Sequence, residues 1–263
     1  MVDLISSVSN PLIKQARALR QKKTRDESGL FLVEGILHVG EAAEAGWELE
    51  ALIYVPERLK SEFAIQLVEK LTRSGTRCQP VSEAAFESFA EKENPQGVAA
   101  VVRRKDRSLD SFGIGAAPFL TALVAPQDPG NVGSILRTLD AVAADGLVLI
   151  DPQTDPYHPA AVRASMGAVF WKPFAQTSFG DFLRWAKQNS YRLIGTSARG
   201  MLNYHLLKLD TRPTVLLLGS EQRGLSPEQI AACDDLVSLP MRGRASSLNL
   251  AVAAGILLYA LKS

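Results

Sequence analysis

The chain has 263 residues, 46% of them apolar and 22% charged, with a formal net charge of +1. That balance is ordinary for a globular protein and excludes a strong polyelectrolyte. Two cysteines, Cys78 and Cys233, cannot make a disulfide framework and have no metal-ligand spacing, and the longest apolar stretch, Leu250 to Leu261, is too short and too alanine-rich to span a bilayer. The expectation is a soluble protein of the reducing cytoplasm, with no metal and no membrane partner, built as one large or two modest domains.

Ser9-Asn10-Pro11 reads as a turn that starts a helix at Pro11. Lys14, Arg17, Arg20, Lys22, Lys23 and Arg25 follow, spaced so that several share a helical face. Such a strip is either a solvated face or a set of phosphate contacts with salt-sensitive affinity. Next come a short strand at Phe31-Leu-Val-Glu-Gly35, a helix over 36–45 stopped by Gly46, and a strand over 49–55 broken by Pro56. An amphipathic helix over 57–74, a short strand over 76–80, a helix over 83–90 capped by Ser82 and a strand over 97–102 complete a small alternating α/β unit.

Residues 105–117 read as a linker between a domain at 1–104 and a second at 118–263. In the second, strands are expected at 119–124, 146–150, 191–196, 214–218 and 235–239. Helices are expected at about 131–143, 158–167, 180–189, 226–232 and 247–261. The strands are continuous apolar runs, as in a parallel sheet covered on both faces.

Three polar clusters sit at the carboxyl ends of such runs, where open α/β sheets bind ligands. They are Asp128-Pro-Gly-Asn-Val-Gly-Ser-Ile-Leu-Arg137, Gly219-Ser-Glu-Gln-Arg-Gly224 and Leu239-Pro-Met-Arg-Gly-Arg-Ala-Ser-Ser-Leu-Asn249. The second resembles a P-loop only superficially. Leu225-Ser226 replaces the Lys-Ser/Thr, and Glu221 would face any phosphate. Gly113-Ile-Gly115 precedes a strand, so it is no dinucleotide fingerprint. His158, between Tyr157 and Pro159, reads as a turn or capping residue, and Ser246 or Ser247 as an N-cap of the last helix.

Taken together the clusters resemble the SpoU/TrmH family of RNA ribose 2′-O-methyltransferases, in the SPOUT superfamily. Asn131, Gly133 and Arg137 match its first motif, and Gly219, Glu221 and Gly224 its second. Pro240, Met241, Gly243, Ser247, Leu248 and Asn249 match its third, and Val162 to Ala168 also fits the family pattern. The resemblance implies a mostly parallel SPOUT-type sheet with a deep trefoil knot, preceded by a smaller L30e-like α/β domain that binds RNA through the basic stretch.

The resemblance also implies S-adenosylmethionine (SAM) as cofactor, held at Gly219, Leu239 and Leu248, with Thr196, Met241 and Gly243 as further contacts. Arg137 is the implied activator of the ribose hydroxyl, as base or as electrostatic partner. A guanidinium gives up its proton only with great difficulty, which makes the base role demanding. Glu221 is the competing base, while Asn131, Ser247 and Asn249 position the ribose. The implied assembly is a homodimer. Large-subunit ribosomal RNA is the first expectation for the substrate, with transfer RNA, or a non-catalytic ribosome-assembly role, as alternatives.

Overall fold

A computed structural model describes residues 2–91, 94–112, 118–197 and 202–262. In chain order the first elements are α1 (Pro11–Ala18), α2 (Lys22–Ser28), β1 (Leu30–Glu34), α3 (Ile36–Glu44) and β2 (Leu49–Tyr54). Then come α4 (Glu62–Arg73), β3 (Cys78–Pro80), α5 (Glu83–Glu87) and β4 (Val98–Arg103). The middle of the chain forms β5 (Phe119–Val124), α6 (Pro129–Ala141), β6 (Gly146–Ile150), α7 (Pro159–Ala164), α8 (Ala168–Trp171) and β7 (Phe174–Thr177). The rest forms α9 (Phe179–Gln188), β8 (Arg192–Thr196), β9 (Leu202–Asn203), β10 (Thr214–Leu218), α10 (Pro227–Ala231), β11 (Asp235–Ser238) and α11 (Leu250–Lys262). Part of the expected linker, 113–117 with its Gly113-Ile-Gly115, lies outside the described residues.

These elements form two compact units, one of residues 1–105 with 157–170, the other of residues 106–156 with 171–263. In the first, four strands run in the order β1-β4-β2-β3. β4 is antiparallel to both neighbours, and β3 is parallel to β2. Alternation in β1 sorts its side chains. Leu30 and Leu32 join a core with Leu12, Ile13, Ala16 and Leu19. Phe31, on the other face, meets the rings of Trp47 and Tyr157, at centroid distances of 5.9 and 4.6 Å. Both faces are therefore covered, and the strand is apolar from Leu30 to Val33.

The basic stretch is not one helix. Asn10 caps α1 by accepting from Leu12 N at 2.9 Å, and α2 ends on Gly29 at φ +66°. The helix expected over 57–74 is a 3₁₀ turn at Pro56–Arg58 followed by α4, which Ser61 caps by accepting from Ala64 N. Ser82 caps α5 through Ala85 N.

Segment 157–170 lies beyond the expected linker in sequence, yet packs with the first unit. The Tyr157 hydroxyl donates to Lys105 O at 2.9 Å and accepts from Lys105 N at 3.2 Å. The Trp47 indole donates to Phe170 O at 2.9 Å, and Arg163 pairs with Glu91 at 2.6 Å. His158 accepts from Ala160 N, capping α7.

The second unit is a seven-stranded, all-parallel sheet in the order β7-β6-β5-β10-β8-β11-β9. One face packs Val148, Val215 and Leu217 against Phe182 and Trp185 of α9. On the other, α6 lies against β6 and α11 packs on α6. The five strands expected from sequence are the five interior ones; β7 and β9 are the additional edges. Among the described residues no helix is long and apolar enough to cross a membrane.

Tyr157→Phe keeps the buried ring but leaves both backbone groups of Lys105 without the hydroxyl. We expect a loss of about 1–3 kcal/mol in urea unfolding; an unchanged midpoint contradicts the role assigned to that hydroxyl.

Candidate functional site: a cleft at the strand ends

β5 leads through α6 to β6 on one side, while β10 flanks β5 on the other. The loops leaving β5 and β10 therefore part, which is the crevice where open α/β sheets receive ligands. A cleft of about 810 Å³ opens at this end of the second unit, within the usual size of small-molecule sites. Its walls come from the ends of β8 and β10 and the loop after β10, from Leu239, Met241 and Ser246 to Asn249 after β11, and from α11.

The first wall is mainly backbone. Ser220 and Gly224 exchange backbone hydrogen bonds of 3.2 and 2.9 Å, so the loop folds back on itself. A Cβ on Gly219 would lie 2.2 Å from the Gly224 carbonyl carbon, a distance that admits only glycine. Gly224 takes φ +66°, in the left-handed region. Gly243 is not among the residues that line the cleft, and a Cβ there would meet open space. Leu239 and Leu248 supply apolar walls, and Thr196 and Ser197 polar ones. Bare backbone between apolar flanks suits a planar purine.

A directed chain of hydrogen bonds ties the walls together. The N-terminus of α11 donates from Ala251 N and Val252 N to Asn249 Oδ1, at 2.9 and 3.3 Å. Asn249 Nδ2 donates to Asn131 Oδ1 at 2.9 Å, and Asn131 Nδ2 donates to Glu221 Oε1 at 2.8 Å. The other Glu221 oxygen accepts from Gln127 N at 3.3 Å. Asn249, not Ser246 or Ser247, thus caps the last helix, which begins at Leu250. Asn131 is the buried member, 8% exposed. Gln127 and Gln222, joined at 3.1 Å, brace the same two loops. They were missed because a glutamine beside a motif has no signature of its own.

The cleft collects most of the residues expected from sequence: Gly219, Leu239, Leu248, Thr196, Met241, Glu221, Ser247 and Asn249 line it. Asn131 stands behind it on the hydrogen-bond chain. Arg137 does not line it. It follows Asn131 by six residues on α6, about 120° around and about 9 Å along the axis. It is exposed, and among the described residues its side chain has no hydrogen-bond or ion-pair partner.

The basic stretch of the first unit divides by role. Arg25 is 1% exposed and donates to Leu19 O and Arg20 O, both at 2.8 Å. It holds the turn between α1 and α2 and offers nothing to a surface ligand, a correction to its expected RNA contact. Arg17 is half-buried and bonds Ser88. Lys14, Arg20, Lys22 and Lys23 are exposed. Among the described residues no cluster of His, Cys, Asp or Glu is arranged to hold a metal. Burial, then the nearby Asp234, pushes the Cys233 thiol up to about 11, far from thiolate chemistry.

Asn131→Asp removes, among the described residues, the only donor to Glu221 Oε1 and sets a second carboxyl group against it. We expect a loss of at least about 2 kcal/mol in chemical unfolding; an unchanged midpoint contradicts the assignment.

The family model for the SpoU rRNA Methylase family matches residues 118–259, and that for an MRM3-like substrate binding domain matches residues 10–100. The chain is 36% identical over 261 residues to the 23S rRNA (uridine(2479)-2′-O)-methyltransferase of Streptomyces viridochromogenes, covering 95% of this chain and 88% of that protein. It is 30% identical to the 23S rRNA (guanosine(2553)-2′-O)-methyltransferase RlmP of Bacillus subtilis, over 98% of both chains. Among solved structures, the AdoMet-bound rRNA methyltransferase from Sinorhizobium meliloti superposes with a TM-score of 0.90 at 36% identity, over 98% of this chain and 97% of that one. With its motif loops joined around one cleft and both halves matched, the chain belongs to the SpoU rRNA Methylase family.

Proposed function

We propose that this protein transfers a methyl group from SAM to the 2′-hydroxyl of a ribose in large-subunit ribosomal RNA. The observation that carries this reading is the chain from the α11 N-terminus through Asn249 and Asn131 to Glu221, which binds all three motif loops to one cleft. The relatives named as 23S rRNA 2′-O-methyltransferases support the ribosomal substrate over transfer RNA, and that substrate favours a cytoplasmic setting.

SAM supplies, when bound, a methyl group on a sulfonium whose leaving thioether is neutral and needs no acid. The chain's own work lies on the hydroxyl side and in alignment. Gly219, Leu239 and Leu248 hold the adenine, with Thr196 and Met241 beside it. Asn249 and Ser247 orient the ribose. Glu221 is held by a donor on each oxygen, which suits it to bracing the loops. Arg137 is the residue for the ribose oxygen, stabilising negative charge as it develops.

Arg137 stands outside its own cleft, so we assign it to the cleft of a partner subunit. Val252, Ile256 and Tyr259 are 51%, 38% and 55% exposed, and their spacing sets them on one face of α11. An apolar face of this kind suits an isologous homodimer. Because α11 packs on α6, a contact through α11 also carries α6, and Arg137 with it, toward the interface. The N-terminal unit is the RNA-binding domain, its contacts drawn from Lys14, Arg20, Lys22 and Lys23, with Arg17 a lesser one. The reading includes the trefoil knot, supported by Leu239, Met241 and Ser246 to Asn249 lining the same cleft as the β10 loop before α11 packs on α6.

Incubation with methyl-labelled SAM and ribosomal RNA from a deletion strain is expected to label one 2′-O position of 23S RNA. Absence of label, with SAM bound, favours the non-catalytic alternative; label in transfer RNA alone overturns the substrate.

Arg137→Ala is expected to lower kcat at least about a hundredfold, with SAM affinity within about twofold. Gly219→Ala is expected to abolish SAM binding, because its Cβ cannot be placed. Mixing and reannealing the two inactive variants restores activity only if Arg137 serves the partner's cleft. A mixture as inactive as its components contradicts action across the interface.

A further inference from the structure

Four cations of the second unit pair with acids: Arg192 with Asp235 at 2.6 Å, Arg212 with Asp210 at 2.9 Å and Lys172 with Asp140 at 3.4 Å, and Arg184 with Asp181. Three arginines on the loops of the cleft have no such pair. Arg223 lines the cleft, in the loop after β10. Arg242 and Arg244 lie in the short segment between Met241 and Ser246, both of which also line it. All three arginines are exposed, and among the described residues none of their side chains has a hydrogen-bond or ion-pair partner; the Arg223 backbone N–H donates to Ser220 Oγ. Glu221 is the one carboxylate among the described lining residues, and Asn131 and the Gln127 backbone already hold it.

The cofactor does not account for these cations. SAM combines a sulfonium, an ammonium and a carboxylate, so it is a net cation at neutral pH, and a ring of guanidiniums repels it. One arginine is enough for its carboxylate; three are not explained by it. A polyanion explains all three. A guanidinium matches a phosphate with paired hydrogen bonds, and its charge does not titrate at any working pH. Their placement is informative too: on the rim, on loops shared with the cofactor's walls, rather than in the floor.

We propose that Arg223, Arg242 and Arg244 form a phosphate clamp that grips the RNA strand on either side of the target ribose. This rests on the methyltransferase reading above and adds to it. The catalytic domain has its own backbone-binding site, separate from the basic face of the N-terminal unit. Phosphate contacts carry no sequence information but fix register. Here they hold the flanking nucleotides while the target ribose enters the cleft, so exposed single-stranded segments are the fitting substrate. The clamp acts on RNA binding and positioning, and leaves the cofactor's affinity alone.

The test compares the full-length protein with an Arg223→Gln/Arg242→Gln/Arg244→Gln variant and with the corresponding triple lysine variant. Binding to 23S ribosomal RNA is measured between about 50 and 200 mM KCl, where each lost phosphate contact flattens the log K against log salt slope by about 0.7–0.9. The glutamine variant is expected to lose about two to three in slope and to raise KM for RNA at least about tenfold, with the SAM Kd unchanged or slightly lower. The lysine variant is expected to keep the slope, because charge is retained, while losing part of the kcat that depends on paired geometry. An unchanged slope in the glutamine variant overturns the clamp. So does a weakened SAM Kd with RNA binding intact, which assigns the arginines to the cofactor's carboxylate. If the unmodified protein binds SAM and methylates RNA while the slope is unmoved, only the clamp falls. If it neither binds nor methylates RNA, the methyltransferase reading falls first.

Discussion

The site depends on the polarity of one hydrogen-bond chain. The amides at the start of α11 can only donate, and an ionised Glu221 can only accept. Two asparagines stand between, each turned so that its oxygen faces the helix and its amide faces the carboxylate. A side chain in either place must accept on one side and donate on the other. Aspartate lacks the donor, and serine is too short to span the same gap with separate donor and acceptor atoms. Each bond contributes about 1 kcal/mol net, but reversing one leaves the buried Asn131 amide unmatched, at a cost of about 1–3 kcal/mol. The cleft's three walls come from loops distant in sequence, and this chain is what makes them one structure.

The sheet decides where that chain can form. Strand β5 sends its helix toward β6, and β10 occupies the vacated side, so their loops diverge only at the carboxyl ends. Asn131 enters the gap from the start of α6 and Glu221 from the loop after β10. Glycine completes the arrangement. A side chain at position 219 would collide with the loop's own backbone, so tight folding and a bare wall for the ligand are the same requirement. Stability and binding therefore constrain one residue together.

Much of this was legible in the sequence. Apolar runs marked the interior strands of the larger sheet, most clearly β5, β6 and β10, which are buried along their whole length. The two edges escaped notice: Phe174-Ala-Gln-Thr177 mixes polarity, and β9 has two residues. Motif spacing located Asn131, Glu221 and Asn249, but not that they touch, since their partners lie 90 and 118 positions apart. Residues 157–170 follow an interior strand of one unit and pack in the other, held by the aromatic cluster of Phe31, Trp47, Tyr157 and Phe170 and by the Arg163–Glu91 pair. Arg25 looked like its neighbours and is buried, because two short helices with a turn replace the single helix on which its exposure rested.

A net charge of +1 conceals how the charges are used. Along α2 the lysines pair with acids one turn on, Lys22 with Asp26 and Lys23 with Glu27, both more than 3 Å apart and exposed. Exposed pairs of this kind contribute little to stability and exchange readily for a phosphate. At the cleft rim the arginines have no acid to leave. An approaching polyanion meets two kinds of basic surface. One must give up weak pairs before it binds; the other is already free and sits beside the reacting centre. Unpaired cations repel one another and contribute nothing to folding. Their persistence around a cleft suited to a cationic cofactor is explained by the anionic partner that cofactor is meant to modify.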